Sequence, residues 1–535
     1  MSDLLILIPA PLHAAGMPRA ALRPLDGRPL LLRAIDTAAA TVKDRSDIVV
    51  LADDDEVALF AERQGCLARP YAADRGAEVS GELLTESIEQ TVRRLETARA
   101  ARFAAVMVLR PTAPLLRPAD LADAVAQLDS SGAAMIASDD ISGHAPHSWP
   151  DVGFVVSRRS VAEAGQWGNS AIAVAKVPQE RRFTLRAEHD WWICERLLQR
   201  KRIVVVVIGY PAVGLGHVSR ASIIAHELIH HDVRFLCPSG SELAARQLAA
   251  HGLPVHCQEK GADLAASVLA LNPDLVLNDA LNTERAYIER LQAGGAAVVS
   301  FEDLGTGAQA ADLVINDIFM ERDAPPNHRN GPEYFCIRDE FLHAPPREER
   351  ADVREVLVTF GGTDSTDCTG RLARLLLPLA KARSIHLSFV TGPGYRHLAE
   401  LERLLADVAP AAATLAHDTK RISEYMGRAD FAFSSAGRTV FELAALRVPG
   451  VIVAANAREE THTFARGDNG FLYLGRADAV DDTAIVAAFE RLVESADLRR
   501  HMAGRMRQWD FRHGRQRVLE AMAPLLARES QGCPA

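Results

Sequence analysis

The chain has 535 residues, of which 48% are hydrophobic and 24% charged, and its formal net charge is −10. This length exceeds what a single hydrophobic core supports and predicts about three packed units. The composition is typical of a soluble globular protein, and the acidic balance argues against a general nucleic-acid-binding protein. Seven cysteines without CxxC spacing predict neither a zinc site nor a disulfide framework, so a cytoplasmic location is expected. No apolar stretch reaches the roughly 18 residues of a membrane span.

Apolar runs alternate with helical patterns along the whole chain. Uninterrupted apolar runs are typical of strands buried on both faces of a parallel sheet, so the predicted fold class is α/β. The predicted strands are Leu4–Ile8, Ile48–Leu51, Ala105–Leu109, Ile203–Ile208, Val233–Cys237, Leu275–Leu277, Ala297–Phe301, Val356–Phe360, Leu387–Val390, Phe431–Ser434 and Val451–Ala454. Charged or proline-rich breaks at 199–202 and 344–351 predict domains at 1–200, 201–345 and 346–528, followed by a disordered tail at 529–535.

A glycine turn carrying a histidine is the most informative motif. Gly214 and Gly216 follow the apolar run 203–208 and precede a predicted helix. A strand, a glycine turn and a helix N-terminus form a site for anions, because free backbone N–H groups and the helix dipole point outward there. His217 at this turn is placed for proton transfer, since an imidazole can act as a base at neutral pH. Arg220, one turn further, is a candidate ligand for a phosphate or a sugar.

Two further segments have the same strand-and-turn character. Gly361, Gly362 and Thr363 follow the apolar run 356–360, and the segment 433–443 contains Ser435, Gly437 and Glu442. Small residues let a diphosphate approach backbone N–H groups closely. Glu442 lies near the first turn of the helix predicted to follow this strand. A carboxylate at that position can accept two hydrogen bonds from a ribose diol. These segments therefore predict a nucleotide site.

The region 203–475 resembles the UDP-sugar hydrolase family of pseudaminic acid biosynthesis. The matching segments, in order, are Gly214–Arg220, Asp279, Ser300–Asp303, Ile315–Asn316, Tyr334–Phe341, Phe360–Asp364, Val390–Gly394 and Ser434–Glu442. The resemblance implies a GT-B fold, in which two Rossmann-like domains face a cleft. It also implies that an inverting enzyme, without a metal or other cofactor, hydrolyses a UDP-linked deoxy-diacetamido sugar to UDP and free sugar. The family's catalytic histidine falls on His217, and Asp279 joins the residues expected to bind the UDP-sugar.

Residues 4–198 resemble the cytidylyltransferases that activate sialic-acid-like sugars, which implies a nucleotidyltransferase-like Rossmannoid domain. The framework positions match, but the chemical positions do not. Residues 11–15, Pro-Leu-His-Ala-Ala, replace the family's triphosphate-binding loop, and Thr184 and Arg186 stand where the family has its acidic pair for Mg²⁺. Mg²⁺ needs oxygen ligands and an arginine would repel it. We therefore expect an inactive domain, which forms a homodimer as its relatives commonly do.

Three alternatives to the hydrolase remain at this point. The same cleft in a glycosyltransferase would use a UDP-sugar and an acceptor other than water. The N-terminal domain could be an active CMP-nonulosonate cytidylyltransferase after all. A non-enzymatic scaffold that binds a nucleotide sugar is the third alternative, favoured if His217 proves dispensable.

Overall fold

The computed structural model describes residues 4–14, 16–70, 81–140, 152–163, 172–210, 214–319, 324–345, 347–406 and 412–528. The chain divides after Arg200 into two compact units. The tail predicted to be disordered, residues 529–535, lies outside the described residues. The two units are described separately below.

The first unit contains a mixed sheet with strand order β5-β4-β1-β6-β8-β7-β9. Strand β8 runs antiparallel to β6 and β7, and the remaining neighbours are parallel. The strands are β1 (Leu4–Ala10), β2 (Pro24–Leu25), β3 (Arg28–Pro29), β4 (Ile48–Ala52), β5 (Leu67–Pro70), β6 (Ala105–Leu109), β7 (Met135–Ala137), β8 (Phe154–Arg158) and β9 (Ile172–Val174), with β2 and β3 forming a separate antiparallel pair.

Helices cover the sheet of the first unit. They are α1 (Leu30–Ala39), α2 (Asp55–Arg63), α3 (Gly81–Arg99), α4 (Pro118–Ser130), α5 (Arg159–Glu163) and α6 (Glu188–Leu198), with 3-10 turns at Arg45–Asp47 and Gln179–Arg181. Side chains that alternate along β1 enter two different apolar clusters, Ile6 and Ile8 in one and Leu5 and Leu7 in the other. Burial on both faces explains why β1 reads as a continuous apolar run.

The second unit begins with a parallel seven-stranded sheet of order β12-β11-β10-β13-β14-β15-β16. Its strands are β10 (Arg202–Val207), β11 (Asp232–Cys237), β12 (Val255–Cys257), β13 (Leu275–Asp279), β14 (Ala297–Phe301), β15 (Leu313–Asn316) and β16 (His328–Asn330). Its helices are α7 (Gly216–Glu227), α8 (Glu242–Ala250), α9 (Leu264–Leu269) and α10 (Arg285–Ala293), with 3-10 turns at Thr306–Gln309 and Pro332–Tyr334.

A second parallel sheet of six strands follows, with order β19-β18-β17-β20-β21-β22. Its strands are β17 (Glu355–Thr359), β18 (His386–Thr391), β19 (Ala413–His417), β20 (Phe431–Ser434), β21 (Gly450–Ala454) and β22 (Phe471–Arg476). The remaining helices are α11 (Asp339–Leu342), α12 (Cys368–Ala382), α13 (Leu398–Leu405), α14 (Ile422–Arg428), α15 (Thr439–Ala445), α16 (Ala457–Glu460), α17 (Asp482–Glu494), α18 (Ala496–Met506) and α19 (Gly514–Leu526), with a 3-10 turn at Gly467–Asn469.

The last helix returns to the first sheet of this unit. Val518 and Met522 of α19 belong to the apolar cluster that contains Ile203 and Val205 of β10. The sequence places this helix within the domain predicted at 346–528, whereas its apolar face packs on the sheet of the preceding domain.

The predicted α/β class is confirmed. Each apolar run that predicts a strand overlaps a strand of the structure, and both sheets of the second unit are parallel. Half of the strands in the described residues are absent from the prediction, namely β2, β3, β5, β7, β8, β9, β12, β15, β16, β19 and β22. Of these, β8 pairs antiparallel with β6 and β7, which makes the first sheet mixed.

Candidate functional site

The glycine turn of the second unit lies at a cavity of about 810 Å³, within the size range of small-molecule sites. Gly214 has φ +85°, a left-handed conformation that favours glycine, and α7 begins at Gly216. His217 follows in the first turn of the helix, is 6% exposed and lines the cavity. The turn thus places an imidazole at the wall of a cavity large enough for a small molecule.

The His217 imidazole is oriented by a carboxylate from the neighbouring strand. Asp279 ends β13, which pairs with β10, and its Oδ1 lies 2.5 Å from Nδ1 of His217. Two unprotonated acceptors would repel each other at this distance, and a carboxylate can only accept, so we assign the imidazole proton to Nδ1. Nε2 then carries a lone pair on the opposite side of the ring, which is the form required of a base.

Arg220 fixes the Asp279 carboxylate from the other side. Its side chain is 1% exposed, and its Nε and Nη2 donate to the two oxygens of Asp279 at 2.9 and 2.6 Å. The guanidinium also lies 5.1 Å from the ring centroid of Phe301. Burial works against the charged form of Asp279, yet Arg220 and His217 hold the pKa of this carboxyl below its ordinary value. Asp279 therefore stays ionised and keeps accepting from Nδ1.

Two further carboxylates and one arginine complete a buried charge cluster. Glu302 follows β14 directly, and Asp317 follows β15. Nη1 of Arg220 donates to Glu302 and, at 3.2 Å, to Asp317. Nη1 of Arg438, from the segment that precedes α15 of the second sheet, donates to Glu302 at 3.0 Å and to Asp317 at 3.1 Å. Arg438 thereby joins the two sheets of the unit at the cavity.

The pKa values of the two carboxyl groups are shifted in opposite directions. Burial opposes the charge of Glu302, but Arg220, His217 and Arg438 lower its pKa well below the ordinary value. For Asp317 burial prevails, and its pKa is raised despite Arg438 and Arg220. Glu302 accordingly keeps its negative charge beside the imidazole.

Loops from the second sheet line the opposite side of the cavity. Between β17 and α12, Gly361 has φ +76°, and Gly362 and Thr363 follow it. Thr363 Oγ1 lies 3.8 Å from where a Cβ on Gly214 would stand, so the two glycine turns approach each other. A Cβ on Gly216 would lie 2.8 Å from Cδ of Arg438. Absence of a side chain at Gly216 therefore gives Arg438 room to reach its carboxylates.

Glu442 lies in α15, and its carboxylate is partly engaged. Its Oε1 accepts from Nε of Arg338 at 2.9 Å, and Nη1 of Arg338 also pairs with Glu340 at 2.8 Å. Glu442 is 9% exposed and lines the cavity. No described residue donates a hydrogen bond to Oε2, which is therefore available for a ligand hydroxyl.

The structure brings most of the predicted site residues together. Nine of them line the cavity: Gly214, Gly216, His217, Gly361, Gly362, Thr363, Ser435, Gly437 and Glu442. Arg220 and Asp279, predicted to bind the substrate, lie behind His217 and contact its imidazole instead of lining the cavity. Sequence reasoning gave no role to Glu302, Asp317 or Arg438. A polar residue directly after a buried parallel strand was the available signal for the two carboxylates.

In the first unit, Asp53 and Asp190 are the carboxylates that a nucleotidyltransferase site could use, and both accept hydrogen bonds from the backbone. Oδ1 of Asp53 accepts from the backbone N–H of Leu12 at 2.7 Å. Oδ2 of Asp190 accepts from the backbone N–H groups of Arg186 and Ala187 at 2.8 and 2.9 Å, at the start of α6. Both carboxylates thus have a structural partner within the unit.

The described residues contain no group of three or more His, Cys, Asp or Glu side chains arranged to hold a metal ion. Among them, likewise, no helix combines the length and apolar character needed to cross a membrane.

Two Rossmann-like sheets in one unit, with glycine turns from both at a common cavity, define a protein of GT-B architecture. No protein-family model matches the sequence, and no curated protein sequence matches it. Several solved structures resemble it. MurG of Acinetobacter baumannii has 18% identity and a TM-score of 0.46, over 61% of this chain and 99% of that chain.

Two other similar structures contain nucleotides. The spinosyn rhamnosyltransferase SpnG with thymidine diphosphate has 14% identity and a TM-score of 0.41, covering 60% of this chain and all (100%) of that chain. Anabaena HepE with UDP and glucose has 15% identity and a TM-score of 0.38, covering 61% of this chain and 100% of that chain. Identity and TM-score are low in each case, so function has to be inferred from the site itself.

Proposed function

We propose that the second unit binds a UDP-sugar and transfers its glycosyl group to an acceptor, with His217 as the base. The observation that carries this proposal is the contact of 2.5 Å between Nδ1 of His217 and Asp279. It orients the imidazole so that Nε2 is the basic nitrogen, in a cavity shared with the glycine turns of the second sheet. A base held by a buried carboxylate is an arrangement that enzymes use for proton abstraction.

The chemical step requires the base and a neutralised leaving group. His217 Nε2 takes the proton of the acceptor O–H while the acceptor oxygen bonds to the anomeric carbon. The bond from that carbon to the diphosphate breaks, and its electron pair stays on the departing UDP. The imidazolium that forms lies between the anionic Asp279 and Glu302, which stabilise it.

The second sheet offers the groups that a nucleoside diphosphate needs. Glycines at 361 and 362 and the small residues Ser435 and Gly437 allow close approach of phosphates to the backbone. The guanidinium of Arg438 lies at the same wall, where its charge is shared with Glu302 and Asp317. Glu442 has one carboxylate oxygen for the ribose diol. UDP is accordingly placed against this sheet in the proposal.

The acceptor side favours transfer to a compound larger than water. Beyond His217, one face of α7 continues the cavity wall. Its lining residues are three or four positions apart, which is the spacing of neighbours on one helix face. These residues are Ser219, Ser222, Ile223 and His226, and Gln247 of α8 also lines the cavity. None of these five carries a fixed charge, which suits a hydroxyl-bearing acceptor.

Hydrolysis is the second candidate. The ordered matches from Gly214–Arg220 to Ser434–Glu442 favour it, and water would then replace the acceptor. The substrate would be a UDP-linked deoxy-diacetamido sugar of nonulosonic acid biosynthesis. For the first unit, we propose an inactive cytidylyltransferase-like domain, since the carboxylates of Asp53 and Asp190 accept hydrogen bonds from backbone N–H groups.

The test is UDP release from a panel of UDP-sugars, with and without candidate sugar acceptors, by the wild-type protein and the His217→Asn variant. We expect wild-type turnover and a loss of roughly 10²–10⁴-fold in the variant, while calorimetry shows unchanged UDP binding. Acceptor-dependent release supports transfer, and equal release without acceptor supports hydrolysis. Normal turnover by His217→Asn would contradict the role of His217 as the base. Absence of UDP release from every UDP-sugar of the panel would contradict the proposed function.

A further inference from the structure

One carboxylate oxygen of Glu302 has no hydrogen-bond partner among the described residues and lies beside the proposed base. We propose that Glu302 and His217 together form the nucleophile site, and that this site takes a nucleophile with two O–H donors, either water or a vicinal diol. Glu302 is then a second catalytic residue, which accepts one O–H while His217 takes the proton of the other. This inference rests on the proposed function, and it restricts the acceptor to water or a compound with two adjacent hydroxyl groups.

The two oxygens of Glu302 have different surroundings. Arg220 and Arg438 both donate to Oε1. Oε2 accepts no hydrogen bond from the described residues, although the side chain is only 4% exposed. Oε2 lies 3.9 Å from Nε2 of His217, and both residues line the cavity. An unpartnered oxygen of a buried carboxylate is thus directed at the base.

The separation of 3.9 Å fits a bridging group. It is too long for a direct hydrogen bond. A water oxygen about 2.8 Å from both atoms would donate one hydrogen to each. Two adjacent hydroxyls of a vicinal diol can do the same, one to each atom. A single hydroxyl has only one hydrogen and leaves one of the two acceptors unsatisfied, which costs free energy in a buried site.

Glu302 is held in place for this role. Besides the two guanidinium contacts, its backbone carbonyl accepts from Nη2 of Arg458 at 2.8 Å. Its φ of +52° lies in the left-handed region, which is uncommon for a residue with a side chain. Such backbone strain clusters at functional sites, where the surrounding structure compensates its cost. Two guanidinium groups therefore fix the side chain of Glu302, and Arg458 fixes its backbone.

The proton balance of the step leaves Glu302 unchanged. The nucleophile donates one hydrogen to Oε2 and keeps it during attack. The second proton moves to Nε2 as the oxygen bonds to the anomeric carbon, and UDP departs with the electron pair of the broken bond. Glu302 remains a carboxylate throughout and faces the imidazolium formed.

The test compares Glu302→Gln with Asp317→Asn. Both variants remove one carboxylate that pairs with Arg220 and Arg438, but only Glu302 faces His217. In Glu302→Gln the amide places an N–H donor near Nε2 and removes the acceptor. We expect kcat for UDP release to fall by roughly 10²-fold in Glu302→Gln, with KM for the UDP-sugar unchanged. Asp317→Asn should lose much less than this.

Simple alcohols distinguish the two nucleophiles. Wild-type protein is incubated with its best UDP-sugar in water alone, with ethylene glycol as a vicinal diol and with ethanol as a single hydroxyl, and products are identified by mass spectrometry. Free sugar identifies water as the nucleophile, and the ethylene glycol glycoside identifies a vicinal diol. Equal transfer to ethanol and ethylene glycol would overturn the inference.

Two failures can be told apart. If the wild-type protein releases UDP and Glu302→Gln loses no more activity than Asp317→Asn, the inference fails and the proposed function stands. If the wild-type protein releases no UDP from any UDP-sugar, the proposed function fails and the inference with it.

Discussion

Asp279 at the end of β13 contacts His217 of α7 because β13 and β10 are neighbouring parallel strands, with Val207 opposite Asp279. The residues are 62 positions apart in the chain, and Oδ1 lies 2.5 Å from Nδ1. Asp279→Asn removes the charge that stabilises an imidazolium and lets an amide N–H face Nδ1, which would reverse the tautomer. We expect kcat to fall by roughly 10²–10⁴-fold, measured as UDP release. An activity within a few-fold of wild type would contradict this assignment.

Arg220 is expected to contribute strongly to stability. Arg220→Met leaves Asp279, Glu302 and Asp317 with less positive charge in a buried site. Breaking a buried ion pair by removing one partner costs about 3–5 kcal/mol. Urea unfolding measures the free energy of unfolding, and Arg285→Ala is the control, because the exposed pair Arg285–Glu289 (3.2 Å) is expected to contribute about 0.3–0.5 kcal/mol. Equal effects of the two substitutions would refute the prediction.

The cluster also predicts a dependence of stability on acid. The pKa values of Asp279 and Glu302 are lowered in the folded protein, where Arg220 and His217 overcome burial. A carboxyl group with a lowered folded pKa adds stability above its unfolded pKa of about 4, and this is lost as pH falls through the folded value. Asp317, whose pKa burial raises, acts in the opposite sense.

We therefore expect the free energy of unfolding to decrease between about pH 5 and pH 3. The decrease should be smaller in Arg220→Met, which lacks the principal cause of the lowered pKa values. Urea unfolding at several pH values measures both slopes. Parallel curves for the two proteins would show that the cluster does not set this dependence.

Gly216 is expected to resist even a small substitution. In Gly216→Ala the new Cβ would stand 2.8 Å from Cδ of Arg438, which Glu302 and Asp317 hold in place. We expect KM for the UDP-sugar to rise several-fold because Arg438 must move. Gly504→Ala in α18 is the matched control, because no atom of the described residues lies within 4 Å of its Cβ position and alanine favours a helix. That variant should keep its KM and unfold at slightly higher urea concentration.

The first unit is predicted not to activate sugars with CTP. Asp190 accepts hydrogen bonds from backbone N–H groups at the start of α6. Under the proposed likeness to cytidylyltransferases, Arg186 stands where those enzymes have a carboxylate for Mg²⁺. Pyrophosphate release from CTP and a nonulosonic acid, with Mg²⁺ present, should therefore stay at background for the full-length protein. Steady release dependent on the sugar would show an active cytidylyltransferase.

The strands were the most predictable part of the fold. Runs such as Val356–Phe360 are apolar at successive positions because both faces of a parallel sheet are covered, and each predicted run overlaps a strand. The shorter and less apolar strands of the described residues were missed, and so was β8, whose antiparallel direction is set by its pairing with β6 and β7. A local apolar pattern contains no information about the direction of a strand.

The sequence by itself determined the α/β class and the glycine turns, and it singled out His217 as the candidate for chemistry, because these features depend on local patterns. Only the tertiary structure decided the roles of the charged residues. Arg220 and Glu302 are 82 positions apart, and Arg438 and Asp317 are 121 apart. Whether an arginine binds a ligand or a buried carboxylate depends on which strand ends meet at one edge of a sheet, and that is fixed only when the sheets form.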